Sequence, residues 1–149
     1  METVTVAASR VYPVHIGGGL LDRCGELTAA ATAAGRCLVV SDDTVAPLYG
    51  ARVLASLEAA GLRASLYTFP AGEQSKNLTT YGKLLEHMAR EKLTRSDCVA
   101  ALGGGGLAAG FVVVCVIMIK SRIIKFVAHT THPFCVMKEG RRAVPAAHS

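Results

Sequence analysis

The chain has 149 residues and a mass of 15.6 kDa, and 51% of its residues are hydrophobic, which suits one compact unit with its own core. The net charge of +5 belongs to the last thirty residues, where six basic side chains face Glu139 alone, because residues 1–119 carry ten basic and ten acidic residues. With only Phe126 and Phe134 as aromatics in the basic segment, this distribution argues against a nucleic-acid-binding face.

Strand and helix signals alternate from the N-terminus onward. Thr3–Ile16 alternates and is rich in valine, with Pro13 as an interruption, which predicts one or two strands at the edge of a sheet. Leu20–Ala34 has apolar residues at helical spacing and stops at Gly35. Cys37–Val40 is a short apolar run of the kind found in central parallel strands.

The same order of strand, polar loop and helix then repeats. Val45–Ala60 is predicted as a helix, Arg63–Phe69 as a strand, Asn77–Leu93 as a helix, and Cys98–Leu102 as a strand that runs into four glycines. The second of these helices carries one apolar face, formed by Leu78, Tyr81, Leu85 and Met88. The succession predicts an α/β fold, a Rossmann-like parallel sheet with flanking helices on both faces.

Three polar loops follow the predicted parallel strands, namely Asp42–Thr44, Gly72–Lys76 and Gly103–Gly106. The carboxyl ends of parallel strands share one edge of the sheet, so these loops should converge there. A carboxylate can bind ribose hydroxyls, a lysine can bind phosphate, and bare glycine amides can bind a pyrophosphate. Each loop alone also has a structural explanation: a helix cap, a solvated ion pair or a tight turn. Together they predict a dinucleotide site.

The cysteines and the N-terminus predict a cytoplasmic protein. The five cysteines are odd in number and widely spaced, without a CxxC pair, which is typical of reduced core thiols: Cys24, Cys37, Cys98, Cys115 and Cys135. The first six residues include Glu2 and alternate as a strand does, where a signal peptide would need a basic and then an apolar region.

One segment is long enough to cross a membrane, because 22 uncharged residues separate Asp97 from Lys120. It contains five glycines, four of them contiguous, and these would interrupt a helix. The segment is therefore predicted to form a strand, a turn and a second apolar element, and a membrane-anchored fragment is the alternative.

Three stretches of the chain resemble the N-terminal domain of the 3-dehydroquinate synthase family: Val39–Gly50, Phe69–Asn77 and Leu93–Gly105. The resemblance covers about residues 1–105. It implies an NAD-dependent lyase of the shikimate pathway of aromatic amino acid biosynthesis, which also depends on a divalent metal, zinc or cobalt. The implied reaction converts 3-deoxy-arabino-heptulosonate 7-phosphate into 3-dehydroquinate and phosphate. Members of the family are typically dimeric, so the resemblance also implies a homodimer.

The resemblance also implies which residues bind NAD: Asp42, Thr44, Glu73, Lys76, Gly103, Gly104 and Gly105. The first two match a loop that contacts the adenosine ribose, the next two match the family's Gly-Glu-x-x-Lys nucleotide contacts, and the glycines match the pyrophosphate turn. All of them serve the cofactor. No catalytic residue and no metal ligand is predicted in this chain.

The sequence departs from the family after Gly105. The family has an aspartate before its next Ala-Gly-Phe, and that aspartate is missing here before Ala109-Gly110-Phe111. The family's metal ligands and substrate-binding side chains belong to a helical C-terminal domain that this sequence does not include. His129, His132 and Cys135 have a spacing that could hold zinc, but no recognisable scaffold accompanies them.

The sequence therefore predicts an NAD-binding α/β domain over residues 1–105, followed over 106–149 by a divergent tail that is first apolar and then basic. A shifted reading frame, an unspliced intron or a gene fragment would produce such a tail. We expect such a fragment to be inactive alone, because metal-assisted chemistry needs ligands to hold the ion. Two alternatives stay open. One is a non-catalytic nucleotide-binding module that associates through Phe111–Ile119, and the other is a fragment of a related sugar-phosphate cyclase.

Overall fold

The computed structural model describes residues 1–7, 11–103, 111–118 and 123–129. The described strands are β1 (Glu2–Ala7), β2 (Val11–Gly18), β3 (Arg36–Asp42), β4 (Arg63–Phe69), β5 (Cys98–Gly103), β6 (Phe111–Met118) and β7 (Ile123–His129). The described helices are α1 (Leu20–Ala31), α2 (Ala51–Ala59) and α3 (Leu78–Arg90). The strands form one sheet in the order β1-β2-β7-β6-β5-β3-β4.

Strands β5, β3 and β4 are mutually parallel, and β3 lies between the other two. This confirms the predicted Rossmann-like parallel sheet with flanking helices and the central position of Cys37–Val40. The rest of the sheet is mixed, because β6 is antiparallel to both β5 and β7, while β7 is parallel to β2. The antiparallel β6 was not predicted, although its run of valines favours a strand.

The core lies between one face of the parallel strands and the helices α1 and α2. Every second residue of β3 and β5 is buried on this face, namely Cys37, Val39, Cys98, Ala100 and Leu102. Helices α1 and α2 supply the opposing apolar side chains, which are Leu20, Leu21, Cys24, Val53 and Leu57. The alternation follows from the two-residue period of a strand. It places the sheet's other face toward α3.

Three of the predicted core thiols, Cys24, Cys37 and Cys98, are buried and free. Burial raises the pKa of the Cys24 thiol, and contact with the Cys98 thiol together with burial raises the pKa of Cys37. These two side chains are therefore neutral packing groups at physiological pH. Cys135 lies outside the described residues.

Two predicted helices differ from the observed ones. Val45–Ala60 is divided into a π-helical turn, Ala46–Gly50, and the α-helix α2. Pro47 lies at the start of that turn, where its missing N–H is tolerated. Helix α3 begins one residue later than predicted because Asn77 caps it, its Oδ1 accepting a hydrogen bond from the Thr80 amide at 2.8 Å.

The apolar segment after Asp97 contains β5 and β6, which pair in register from Cys98 opposite Met118 to Gly103 opposite Val113. This agrees with the predicted strand followed by a second apolar element. None of the described helices is long and apolar enough to cross a membrane.

Helices α1 and α2 approach closely at Gly25, where a side chain would overlap the carbonyl oxygen of Ser56. The Gly25 amide donates to the Ser56 Oγ at 3.0 Å, and the Ser56 hydroxyl donates to the Asp22 carbonyl at 2.8 Å. Arg52 also donates twice to the Asp22 carboxylate, but this pair is about half exposed and contributes little. The close backbone approach is the main feature of the contact.

We predict that Gly25→Ala lowers the free energy of unfolding by about 1–3 kcal/mol, because the added methyl forces the two helices apart. Gly82→Ala is the matched control: its added Cβ meets nothing within 4 Å inside α3, so it should stabilise by about 0.5–1 kcal/mol. Urea unfolding followed by circular dichroism measures both. Equal stability of Gly25→Ala and the wild type would contradict the close contact.

Candidate functional site

The carboxyl ends of the three parallel strands lie side by side. Asp42 at the end of β3 pairs with Phe69 at the end of β4, and Ser41 pairs with Leu102 next to the end of β5. The loops that leave these strands therefore start at the same edge of the sheet, with the Asp42 loop in the middle. The convergence that the sequence predicted is present for the described parts of all three loops.

This edge contains a point where the chain changes direction. After β3 the chain passes through α2 to β4 on one side, and it later returns through α3 to β5 on the other side of β3. Helix α2 belongs to the core face, whereas His87 of α3 stacks on Tyr67 of the opposite face, with ring centroids 4.8 Å apart. The ends of β3 and β5 therefore flank the crevice where open α/β sheets bind ligands.

Asp42 shapes its own loop. Its Oδ1 accepts hydrogen bonds from the amides of Thr44 at 2.9 Å and Val45 at 2.8 Å, which starts the turn that leads into α2. Asp42 thus forms a turn of its own and is not the helix cap that the sequence offered as an alternative, because neither helical segment that follows has a side-chain cap. The turn uses one carboxylate oxygen, and within the described part of the chain nothing is hydrogen-bonded to Oδ2. Thr44 is exposed beside it.

Asp43 joins the first loop to the second, a role that the sequence analysis missed. Its amide donates to the Phe69 carbonyl at 2.9 Å, and its Oδ1 accepts from the Ala71 amide at 2.9 Å. The sequence signal was the second acidic residue of Asp42-Asp43, but local spacing did not show which strand end it would contact. The contact fixes the relative position of the two loops.

The second loop has two exposed charged side chains, Glu73 and Lys76, on a backbone that is held by hydrogen bonds. Lys76 Nζ lies 2.7 Å from Glu73 Oε1, with the lysine side chain 73% and the glutamate side chain 86% exposed. Below them, the buried Ser75 donates its hydroxyl to the Pro70 carbonyl, and Gly72 has a φ of +112°, which favours glycine. The exposed ion pair adds little stability, so Lys76 is available to an anion.

The third loop begins at Gly103, where an added Cβ would meet no atom of the described residues within 4 Å. Gly104 and Gly105 lie outside the described residues. One further residue at this point was missed by the sequence analysis: Ser41 is 1% exposed, and its Oγ has no hydrogen-bond partner in the described structure. A single serine inside an apolar strand carries no sequence signal for such a role.

The described residues contain no cluster of three or more His, Cys, Asp or Glu side chains that could hold a metal ion. Of the three residues with zinc-like spacing, His129 ends β7, while His132 and Cys135 lie outside the description. The described site thus combines a carboxylate oxygen, a lysine, an orphaned hydroxyl and open space beside a glycine, which suits a nucleotide better than a metal.

The fold and this edge define the class of protein, an open α/β protein whose strand order changes direction at β3 and β5. The family model for the 3-dehydroquinate synthase N-terminal region matches residues 66–135. The 3-dehydroquinate synthase of Laribacter hongkongensis is 41% identical over 106 residues, which are 70% of this chain and 29% of the relative. That of Streptococcus gordonii is 44% identical over 103 residues, which are 68% of this chain and 29% of the relative.

The chain is therefore similar to the N-terminal region of 3-dehydroquinate synthases, and it spans about 29% of the length of these relatives. The matched region continues past Gly105 to residue 135.

Solved structures agree on the fold. A 2-deoxy-scyllo-inosose synthase complexed with carbaglucose-6-phosphate, NAD+ and Co2+ superposes with a TM-score of 0.58 at 17% identity, over 66% of this chain and 26% of the other. The 2-epi-5-epi-valiolone synthase of Streptomyces hygroscopicus, with NAD+ and Zn2+ bound, has a TM-score of 0.50 at 28% identity, over 64% of this chain and 26% of the other.

We predict that Asp42→Ala destabilises the chain by about 1 kcal/mol, because two loop amides lose their acceptor. Asp42→Asn keeps an acceptor oxygen at the same place and should cost less than half as much. Thermal unfolding of both variants measures the difference. Equal destabilisation by alanine and asparagine would contradict the role of Asp42 as acceptor for the turn amides and would point to the charge instead.

Proposed function

We propose that this chain is the NAD-binding part of a 3-dehydroquinate synthase. The observation that carries the proposal is the convergence of the Asp42, Lys76 and Gly103 loops at one switch point of the sheet. Similarity to 3-dehydroquinate synthases supports the same function, and two structural relatives contain NAD+. The nucleotide-binding unit corresponds to residues 1–105.

Each loop has one task in the proposed complex. The Asp42 Oδ2 accepts hydrogen bonds from the adenosine ribose hydroxyls, with Thr44 beside it, while Oδ1 continues to hold the loop. Lys76, positioned by its pair with Glu73, approaches the phosphates. The backbone from Gly103 through Gly105 donates to the pyrophosphate, because no Cβ obstructs its approach at Gly103.

The orphaned Ser41 hydroxyl is consistent with this occupant. A buried hydroxyl without a partner costs free energy, and a polar ligand at the switch point would supply the missing acceptor. When bound, NAD supplies a hydride acceptor for transient oxidation of a hydroxyl. The chain's own residues bind and orient the nucleotide at the sheet edge.

The proposal does not extend to the divalent metal, because the described residues contain no cluster of side chains that could hold it. Phosphate elimination from the heptulosonate phosphate belongs to the whole family protein, and this chain spans 29% of the length of one such relative. In the same proposal the protein is a cytoplasmic homodimer that takes part in aromatic amino acid biosynthesis, and its free buried thiols suit a reducing compartment.

A related sugar-phosphate cyclase is the second candidate. The likeness of the fold to 2-deoxy-scyllo-inosose synthase favours it, whereas the higher identity to 3-dehydroquinate synthases favours the first. Both candidates use the same nucleotide site, so the two differ in the sugar phosphate that the whole protein accepts.

We predict that NAD stabilises the chain against thermal unfolding, by about 2.7 kcal/mol at a hundred times its dissociation constant. Lys76→Gln should weaken NAD binding about tenfold, because a charge-assisted contact to phosphate is lost. Lys83→Gln, which removes an exposed lysine from α3, is the matched control and should bind as the wild type does. Isothermal titration measures the NAD affinity of the wild type and of both variants, and thermal unfolding with and without NAD measures the stabilisation.

Absence of NAD binding by the folded wild-type chain would overturn the proposal. Equal loss of affinity in Lys76→Gln and Lys83→Gln would show a general charge effect rather than a phosphate contact at the loop.

We further predict that the chain alone releases no phosphate from 3-deoxy-arabino-heptulosonate 7-phosphate in the presence of NAD and Zn2+ or Co2+. The physical reason is that the described residues offer the metal no ligand cluster. A phosphate-release assay checks this, with a family member of full length as the positive control. Release that depends on this chain and on the metal would contradict the prediction.

A further inference from the structure

Two cysteines lie side by side at the amino-terminal end of the parallel sheet. Cys37 is the second residue of β3, Cys98 is the first residue of β5, and the strand register pairs them directly. Both side chains belong to the core face and are 1% and 0% exposed, respectively. The proposed nucleotide site does not use them, because it lies at the opposite end of the same strands.

The two thiols of this pair differ in reactivity. The Cys98 thiol donates a hydrogen bond to the Arg36 carbonyl, with the sulfur 3.5 Å from the oxygen. Interaction with the Cys37 thiol lowers the pKa of Cys98 against the effect of burial, and the same interaction raises the pKa of Cys37. Cys98 therefore forms a thiolate more readily than its neighbour, and the thiolate is the nucleophilic form of cysteine.

The spacing of the pair suits a covalent bond. Neighbouring strands lie about 4.8 Å apart, and the Cα atoms of a disulfide are about 4.4–6.8 Å apart. Both side chains lie on one face of the sheet, in the same core cluster. The Cβ atoms of a disulfide are closer, at about 3.5–4.5 Å, so the two strands must approach slightly as the bond forms. Strain of this kind makes a disulfide easy to reduce again.

We propose that Cys37 and Cys98 are an oxidation site, at which a hydroperoxide converts the two thiols into a reversible disulfide between β3 and β5. The Cys98 thiolate attacks the O–O bond of hydrogen peroxide and becomes a sulfenic acid, and the released hydroxide takes up the thiol proton to give water. The Cys37 sulfur then displaces the hydroxyl group of the sulfenic acid, which leaves with the second thiol proton as water. The two sulfurs lose two electrons, and the peroxide gains them.

The reagent reaches this buried pair by opening of the strand ends. Gly35, two residues before Cys37, is exposed. Ser96, two residues before Cys98, is exposed as well. Opening at the ends of elements takes less free energy than global unfolding, so the core can stay folded while the pair reacts. We therefore expect oxidation to be slower than that of an exposed thiol and to leave the sheet intact.

Cys24 is the competing partner, because it is the third buried free thiol of the same cluster. It comes from α1, in the layer above the sheet, and has no strand register to align it. In an unfolded chain the preference reverses. Cys24 and Cys37 are 13 residues apart, whereas Cys37 and Cys98 are 61 apart. Loop closure then favours the shorter loop about tenfold. Pairing of Cys37 with Cys98 is thus a property of the folded sheet alone.

The experiment is non-reducing peptide mapping of the full chain after treatment with hydrogen peroxide, once folded and once in urea. Trypsin and chymotrypsin together cut the sequence between each pair of neighbouring cysteines. We expect the folded chain to yield a cross-link between Cys37 and Cys98, with a mass lower by two hydrogen atoms, as its main product. Its yield should fall about tenfold relative to short-loop pairs in urea. A dithiol reductant should restore both thiols.

Cys98→Ala should abolish this cross-link. Cys24→Ala is the matched control, because it also replaces a buried thiol by a methyl group and should leave the cross-link at the wild-type yield. Circular dichroism verifies that both variants fold, and the wild-type maps decide the question alone if Cys98→Ala does not. The site does not rest on nucleotide binding, so Lys76→Gln should form the same cross-link.

Four results would overturn the proposal. They are a folded chain whose Cys37 and Cys98 both stay reduced, a sulfinic acid at Cys98 without a cross-link, a main cross-link through Cys24, and equal yields of the expected cross-link in the folded and unfolded chains.

Discussion

The parallel pairing of β3 with both of its neighbours is the constraint on which the rest of the structure depends. The centre of β3, Cys37–Val40, is apolar, and burying Cys37 and Val39 against α1 and α2 fixes which face of the strand points to the core. A shift of one residue would exchange the two faces, so the register is strongly determined. The same register aligns the ends of β3, β4 and β5 and creates the edge on which the loops converge.

The loops at this edge show how one side chain can serve both structure and binding. The Asp42 carboxylate accepts hydrogen bonds from two amides of its own loop, and the Asp43 carboxylate accepts one from the neighbouring loop. These bonds limit the positions that the loops can adopt. Two other groups of these loops bind no backbone amide: the exposed Lys76 ammonium group pairs with Glu73, and Asp42 Oδ2 has no hydrogen-bond partner in the described part of the chain. A ligand then meets groups that are already ordered, so less entropy is lost on binding.

The predictable part of the fold is the part that local patterns specify. The apolar run Cys37–Val40 and the helices ending near Gly35 and Gly61 were visible because burial and capping act over a few residues. The candidate site residues Asp42, Glu73 and Lys76 could be predicted from the sequence because they follow predicted strands. Ser41 and the contact of Asp43 with Ala71 were not, since both depend on which strand ends become neighbours.

The unpredicted antiparallel β6 also bears on the second face of the sheet, where Leu38 is buried but Ala101 is exposed. A parallel strand after β5 would need a crossover of a dozen or more residues, usually a helix, and a right-handed crossover would place that helix against one face of the sheet. Here seven residues separate β5 from β6, which is too short for such a unit. The connection leaves the crevice between β3 and β5 in place, because that crevice depends on strand order alone. On the second face Ala101 is exposed and Val99 is half-buried.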